Sequence, residues 1–250
     1  MLKNIIFWII TIVITLASVV YQRSTGPTYP LKGEATIGSE TVKYKLLRSY
    51  DGPDNAEISI EEKSGKLNGT FSYKRYKSHD EWTETEMLHQ GGKLVAYLPH
   101  QPPAGKVMYE ITLSDGVNSV KITEKPVILR YKGAVPAGIL IPHIILMFLA
   151  MLLSTRTGIE ALTKGRHTFS FAVLTAVTLI GGGLILGPIV QKYAFGDYWT
   201  GWPAKGLFTF GDLTDNKTAI AFLFWPIAIY RLWKNKENRG WALVASIVML

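Results

Sequence analysis

Five apolar segments, separated by polar ones, follow one another along this 250-residue chain. The first three carry no charged side chain, and each is close to the roughly 20 helical residues needed to cross a bilayer. The pattern therefore predicts transmembrane helices. Residues 1–22 form an N-terminal anchor, and residues 135–250 form a small helical bundle. The predicted spans cover residues 5–21, 135–153, 169–190, 218–233 and 241–250.

The last two apolar segments are shorter than the others. Residues 218–233 can cross a bilayer if Arg231 extends its side chain to the interface. Residues 241–250 reach only about 15 Å as a helix, so they predict an incomplete span. A helix that ends inside the bilayer leaves carbonyls without partners, at a cost of several kcal/mol each. We therefore expect the natural chain to continue beyond Leu250.

A cleaved signal peptide is the alternative interpretation of the first segment. Leu16, Ala17 and Ser18 place small residues near its end, as a cleavage site requires. The apolar run nevertheless continues through Val19 and Val20, which favours a retained anchor. The chain has no cysteine, and this excludes disulfides, thioether-linked haem and a lipid attached to an N-terminal cysteine.

Lys and Arg are concentrated in two of the short connections between predicted spans. Positively charged connections of this kind face the cytoplasm. The connection over residues 191–217 instead balances three Asp against three Lys, which predicts an exterior position. The N-terminus then lies inside. The cytoplasmic residues are Arg156, Lys164, Arg166, Arg231, Lys234, Lys236 and Arg239.

This topology predicts an integral protein of a bacterial-type cytoplasmic membrane, with the polar block on the exterior, periplasmic side. The formal net charge of +8 is explained by the cytoplasmic connections. The chain has no long basic segment interleaved with stacking aromatic residues, so nucleic acid is not an expected partner. The expected partners are the lipid bilayer and another protein, or a second copy of this chain in the membrane.

The polar block, residues 31–131, alternates apolar and polar positions with the period of half-buried strands. Turn signals such as Asn68-Gly69 and Ser114-Asp115-Gly116 separate the runs. Short strands at this spacing, without helical periodicity, favour an antiparallel sandwich. The predicted strands cover residues 41–46, 56–60, 69–73, 94–98, 107–113 and 127–131.

The block also resembles a known family. The run Leu94 to Pro99, then Pro103-Ala104-Gly105, then Tyr109-Glu110-Ile111 is similar to a strand, corner and strand of fibronectin type III and immunoglobulin-like domains. The resemblance implies that the Tyr109 hydroxyl bonds back to the corner backbone. It covers only this block, and it implies a fold and not an activity.

The predicted fold class is therefore a mixed membrane protein. An all-β immunoglobulin-like sandwich is inserted between an N-terminal transmembrane anchor and a small transmembrane helix bundle. Because the chain has no cysteine, the disulfide-linked antibody type is excluded. We expect Tyr97, Tyr109, Ile111 and Leu113 to lie in the sandwich core.

Three histidines in the block, His79, His89 and His100, raise the question of a metal. Copper sites of the cupredoxin type need a thiolate, which this chain lacks. A copper site built from His89 and Met87 remains an alternative to simple exposed histidines.

His143 lies near the midpoint of the predicted second span, where an ionisable side chain is a functional candidate. It could ligate a haem iron or form part of a proton path. It could also be a neutral packing residue, hydrogen-bonded to Thr175 or Thr178 of the next span. A second histidine at that depth is missing from the chain, and this favours packing. In the third span, Gly183 and Gly187 have the spacing of close helix packing.

The exterior connection is rich in aromatic residues and glycine. Trp199, Trp202, Phe208 and Phe210 are predicted to form a partner or ligand surface, although rings also collect at membrane interfaces. Asp212, Asp215 and Asn216 could bind a hard cation through oxygen ligands. A simpler role for Asp215 or Thr214 is the N-cap of the fourth span.

No nucleophile with an evident base and no phosphate-binding glycine loop occurs in the sequence, and the expectation leans away from an enzyme. The predicted function is an exterior binding or interaction module held at the membrane, as a subunit of a larger membrane assembly. The alternative is a haem- or quinone-associated electron-transfer subunit that uses His143.

Overall fold

The computed structural model describes residues 2–202 and 213–250. Internal contacts divide the chain into two compact units. The β unit is Ser24–Ala134, and the helical unit combines Met1–Arg23 with Val135–Leu250.

The β unit contains two sheets whose strands pair almost entirely antiparallel. One sheet has the order β1-β2-β4-β8-β7, and the other has the order β3-β11-β9-β5-β6, with β10 beside β9. The short pair β3 and β11 is parallel. The strands are β1 (Leu31–Ile37), β2 (Glu40–Leu46), β3 (Ser49–Tyr50), β4 (Ala56–Glu61), β5 (Asn68–Arg75), β6 (Thr83–Glu86), β7 (Leu88–Gln90), β8 (Lys93–Leu98), β9 (Lys106–Ser114), β10 (Ser119–Lys121) and β11 (Val127–Tyr131).

One hydrophobic core joins the two sheets, as in a sandwich. In β4 and β9 every second side chain is buried, so each strand turns one face inward. Ile58 and Leu98 from the first sheet meet Phe71 and Ile111 from the second in this core. Burial of one such side chain contributes about 1.5–3 kcal/mol. Each of the six predicted strands falls within an observed strand.

The corner between β8 and β9 is held by a different tyrosine from the one expected. Tyr131 donates its hydroxyl to the Leu98 carbonyl at 3.1 Å, and its backbone N–H bonds Gly105. Tyr109 is fully buried, but its hydroxyl bonds the Leu47 carbonyl at 2.8 Å, beyond the end of β2. Tyr109 therefore ties the two sheets together and does not close the corner.

Tyr97 was expected in the core, and this is wrong. It is 45% exposed and pairs with Glu57 of β4 on the outer face, because β8 turns Ala96 and Leu98 inward. Ile111 and Leu113 are buried in the core, as expected.

The helical unit contains six helices and a π-helical segment within the described residues. Three helices there are long and apolar enough to cross a membrane: Leu2–Thr25, Ala137–Leu162 and the continuous Thr168–Phe195. The elements are α1 (Leu2–Thr25), α2 (Ala137–Leu162), α3 (Thr168–Leu179), the π segment (Ile180–Leu186), α4 (Gly187–Phe195), α5 (Leu213–Lys234) and α6 (Gly240–Met249).

Helix α2 continues to Leu162, well beyond its predicted end at residue 153. Arg156, expected in a cytoplasmic connection, is instead a buried helical residue. Its guanidinium bonds the Glu160 carboxylate at 2.5 Å and Asn4 Oδ1 at 2.9 Å. It also lies 5.0 Å from the centre of the Phe171 ring. One charged group therefore connects α1, α2 and α3.

Small and hydroxyl side chains surround α2 near this charge. The Thr15 hydroxyl of α1 bonds that of Thr155 at 3.3 Å. The Ser246 hydroxyl of α6 bonds the Ser154 carbonyl at 2.8 Å. A Cβ on Gly158 would lie 3.0 Å from the Ser246 Cβ, so glycine favours this close approach. These hydroxyl groups therefore join α2 to α1 and to α6.

Candidate functional site

The connection between α4 and α5 begins where α4 ends. Gly196 has φ +88° and donates its N–H to the Lys192 carbonyl, a helix end that suits glycine. The segment from Gly196 to Trp202, called here the aromatic loop, follows directly and precedes the undescribed residues 203–212.

The backbone of the aromatic loop is fixed by the first turn of α5. Oδ2 of Asp215 accepts the N–H groups of Thr200 at 2.8 Å and Gly201 at 3.0 Å. The same oxygen accepts the Gln191 side-chain amide at 2.8 Å. All these hydrogen bonds are buried, where a charged acceptor forms its stronger bonds.

Asn216 adds a second attachment. Its Oδ1 accepts the N–H of Trp202 at 2.6 Å. Gly201 allows both contacts, because a Cβ there would lie 2.6 Å from the Asp215 Cβ and 2.8 Å from Asn216 Oδ1. We refer to Gln191, Thr200, Asp215 and Asn216 as the loop clamp.

The rings next to this fixed backbone are exposed. Tyr193 is 45%, Tyr198 59% and Trp202 46% exposed. Trp199 is half-buried, and its indole N–H bonds the Trp202 carbonyl at 3.2 Å. The Lys192 ammonium lies 5.3 Å from the Tyr198 ring centre. A rigid segment therefore presents several amphipathic rings.

The structure describes two of the four residues predicted to form a partner surface. Trp199 and Trp202 belong to the aromatic loop. Phe208, Phe210 and Asp212 lie outside the described residues. The cation hypothesis for Asp212, Asp215 and Asn216 therefore stays a prediction.

Within the described part, the Asp215 oxygen Oδ2 is surrounded by N–H donors, which are not cation ligands. In residues 2–202 and 213–250, no group of three His, Cys, Asp or Glu side chains could hold a metal. Helix α5 begins at Leu213, so Thr214 and Asp215 lie inside its first turn and not at the N-cap. Asp215 bonds the amides of the loop instead.

His143 forms a hydrogen bond with the π segment. Its Nδ1 lies 2.8 Å from the Gly182 carbonyl oxygen, whereas the expected partners Thr175 and Thr178 bond carbonyls of their own helix. A carbonyl can only accept, so Nδ1 carries a proton.

His143 lies in the first third of α2, Ala137–Leu162, because this helix extends beyond the predicted span at its C-terminal end. Its depth near the midpoint of a membrane span stays a prediction. The side chain is half-buried.

The close approach of the π segment to α2 explains this bond. A Cβ on Gly182 would lie 2.9 Å from the Leu146 Cβ and 3.2 Å from the Met147 backbone nitrogen. A Cβ on Gly183 would lie 2.9 Å from Thr218 Cγ2. The glycines thus serve packing inside the helical unit. The run Gly181-Gly182-Gly183 was the available sequence signal, but it did not predict a π segment, which is often found at functional sites.

Among the three histidines of the β unit, His79 is exposed, and His89 and His100 have separate surroundings. The His100 ring packs 5.3 Å from that of Tyr131, and His89 Nδ1 lies 3.8 Å from a Glu62 oxygen. Met87, 5% exposed, packs in the core beside Gly69. The described residues contain no group of three His, Cys, Asp or Glu side chains that includes His89, and the copper alternative for His89 and Met87 stays a prediction.

The chain matches no protein-family model, no curated protein and no solved structure. The class of protein rests on the fold itself. A helical unit with three helices apolar enough to span a membrane is combined with a unit of antiparallel β-sheets.

Proposed function

We propose that this protein is a membrane-held interaction module, a subunit of a larger assembly, which uses the aromatic loop to contact a protein partner. The observation that carries the proposal is the loop clamp. A buried carboxylate holds the loop backbone, while Tyr198 and Trp202 stay exposed.

The energetic argument concerns preorganisation. A loop that is already ordered loses less conformational freedom when it binds. Tyr and Trp supply large contact areas with few rotatable bonds, and they are enriched in the residues that dominate binding energy. An interfacial aromatic belt needs only rings at the right depth. The buried hydrogen bonds that Asp215 accepts from backbone N–H groups go beyond that requirement.

The proposal includes a topology. The aromatic loop and the β unit, which resembles fibronectin type III and immunoglobulin-like domains, are exterior to a bacterial-type cytoplasmic membrane. The support comes from Lys164, Arg166, Lys234 and Lys236 in the opposite connections.

The test is quantitative affinity purification from the native membrane. We expect a double variant, Tyr198→Ser with Trp202→Ser, to lose the partners that the wild-type chain retains. Asp215→Asn should lose them too. The side-chain NH2 group of asparagine is a donor, and it would face the N–H groups of Thr200 and Gly201, which are donors as well. Tyr230→Ser, which alters a ring 55% exposed in α5, is the matched control. Retention of the same partners by the loop variants would contradict the proposal.

A second candidate function rests on His143. Metal-ligating histidines usually donate the second ring N–H to a carbonyl or carboxylate, and the bond to Gly182 has this arrangement. Nε2 could then ligate a haem iron or accept a proton from a quinol hydroxyl. The residues described here supply one such histidine at this depth, so another chain would provide a second haem ligand.

An absorption spectrum of the purified protein separates the two candidates. A Soret band that disappears in His143→Gln would favour the electron-transfer function. The absence of the band in protein from haem-replete cells would exclude haem at His143. Extraction of bound quinone would then test the quinone-associated function.

A further inference from the structure

A cavity of about 460 Å³ lies within the helical unit, between α1 and helices α2, α3, α5 and α6. Its size falls within the range of about 300–1,000 Å³ found for ligand pockets. Its inner wall is apolar and includes Met147, Met151, Leu179 and Ala221. Gln22, Arg23 and Lys217 also line it.

The cavity follows from the way α1 attaches to the other helices. As far as Thr15, α1 is joined directly to α2, through Asn4 to Arg156 and through Thr15 to Thr155. In its second half, Ser18 and Gln22 reach the Leu250 carbonyl at 3.2 and 2.7 Å. There α1 faces Met147 and Leu179 across the cavity.

The charged side chains at the cavity are of one sign. Arg23 is in the last turn of α1, and Lys217 is near the start of α5. No acidic side chain is among the described residues that line the cavity. Asp215, the carboxylate nearest to Lys217 in sequence, bonds the aromatic loop instead. The site therefore combines cationic side chains at one end of the bundle with an apolar interior.

We propose that this cavity binds one anionic phospholipid. Its phosphate is held by Arg23 and Lys217, and an acyl chain lies against Met147, Met151 and Leu179. Lys and Arg side chains at a membrane surface attract anionic lipid headgroups, and the apolar wall offers an acyl chain a surface away from water. The unbranched methionines adapt to a flexible chain. This inference is independent of the aromatic loop and of His143.

The chemistry of the wall distinguishes this lipid from other occupants. Inorganic phosphate would use the cations but leave the apolar wall in water. A zwitterionic lipid would use the wall but offset the attraction to Arg23 and Lys217 with its own positive charge. An uncharged quinone would use only the wall.

The test uses the full chain, delipidated in detergent and titrated with fluorescent phosphatidylglycerol. Fluorescent phosphatidylcholine and unlabelled inorganic phosphate are the comparison ligands. We expect tighter binding of phosphatidylglycerol, and no competition by millimolar phosphate. Arg23→Gln combined with Lys217→Gln should weaken phosphatidylglycerol binding about 30-fold, because about 1 kcal/mol for each of the two cations gives about 2 kcal/mol.

The matched control is Lys164→Gln combined with Lys236→Gln, which removes two exposed cations at the opposite end of the bundle. Phosphatidylglycerol binding should be unchanged in this control. Ala221→Phe should weaken the binding of both lipids, because the ring fills the cavity. If Ala221→Phe does not fold, the Arg23→Gln with Lys217→Gln variant alone tests the proposal. Equal affinity for the two lipids, unchanged binding in the Arg23 and Lys217 variant, or full competition by phosphate would overturn the proposal.

Discussion

Arg156 and Glu160 form an ion pair of 2.5 Å on successive turns of α2, and both side chains are almost completely buried. Glu160 also accepts the backbone N–H of His167 at 3.2 Å, at the start of α3. The pair therefore fixes the turn between α2 and α3, while Asn4 connects it to α1.

Removing one partner of this pair should destabilise the helical unit strongly. Arg156→Met leaves the Glu160 carboxylate buried without its cation, and Glu160→Met leaves the guanidinium without its anion. We expect each change to cost about 3–5 kcal/mol. Thermal unfolding of the detergent-solubilised protein measures the loss.

The double variant Arg156→Met with Glu160→Met is the informative comparison. An apolar pair of similar volume avoids the burial of an isolated charge, so the double variant should be more stable than either single variant. Lys236→Met, at an exposed position, should be near neutral. Additive losses in the double variant would show that the pair is not coupled.

The role of Arg156 could not be predicted from the sequence pattern. A lone Arg after an apolar segment is typical of a cytoplasmic connection. Its burial depends on Glu160 four residues later and on Asn4, which is distant in sequence. The carboxylate at position 160 was an available signal, because an (i, i+4) pair lies on one helix face.

The strands were predictable where burial alternates. Buried and partly exposed side chains alternate along residues 107–113 and 127–131, and most of the buried positions are apolar. β6 and β7 were missed because all their side chains are exposed, so no alternation marks them.

The loop clamp was missed for another reason. Gln191, Thr200 and Asp215 are far apart in sequence and meet only after α4 and α5 have formed.

The bond from Tyr109 to Leu47 gives a prediction for the β unit. The unit has its own core, so residues 24–134 should fold as a fragment with a β-type circular-dichroism spectrum. Tyr109→Phe in this fragment removes the hydroxyl, and the Leu47 carbonyl loses the hydrogen bond from it. We expect a loss of about 1 kcal/mol in the free energy of unfolding by denaturant.

Tyr97→Phe is the matched control for Tyr109→Phe, because Tyr97 is exposed. It should change the free energy of unfolding by less than about 0.5 kcal/mol. A helical spectrum from the fragment, or an equal effect of the two substitutions, would be incompatible with the arrangement described.

Glu62 should make one turn of the β unit sensitive to acid. Burial raises its pKa, but hydrogen bonds from the Ser64 hydroxyl and from the Gly65 and Ser64 N–H groups outweigh this, and the net pKa lies below 4.5. A carboxyl with a lowered folded pKa stabilises the fold above its unfolded pKa. That stability is lost as the pH falls below about 4.5 and through the folded value.

Amide exchange at Ser64 and Gly65 measures this effect, since both N–H groups donate to Glu62. The protection of these amides, corrected for the intrinsic pH dependence, should fall below pH 4.5. In Glu62→Gln the protection should be lower at neutral pH and should change little with acid. Glu57→Gln, at an exposed position, is the control. Unchanged acid sensitivity in Glu62→Gln would assign the effect to another group.

The proposed topology predicts opposite accessibility of Lys164 and Trp199. Cysteine replacements are convenient because the chain has no natural cysteine. In intact cells with a permeable outer envelope, an impermeant thiol reagent should label Trp199→Cys and not Lys164→Cys. Both should react after the membrane is opened. Labelling of both residues from the same side would refute the topology.

The contact between Gly182 and α2 predicts the effect of a single methyl group. A Cβ at this position would lie 2.9 Å from the Leu146 Cβ, so Gly182→Ala should separate the π segment from α2. We expect a cost of about 1–3 kcal/mol, as for other overpacked positions. The His143 bond to the Gly182 carbonyl, now 2.8 Å, should lengthen.

Gly138→Ala is the matched control, because a Cβ at this position of α2 meets no atom within 4 Å. It should be neutral or slightly stabilising, since alanine favours the helix. Thermal unfolding in detergent compares the two variants, and the nitrogen shifts of the His143 ring report its hydrogen bond. Equal stability of the two variants, with unchanged shifts, would show that the close approach does not hold His143 in place.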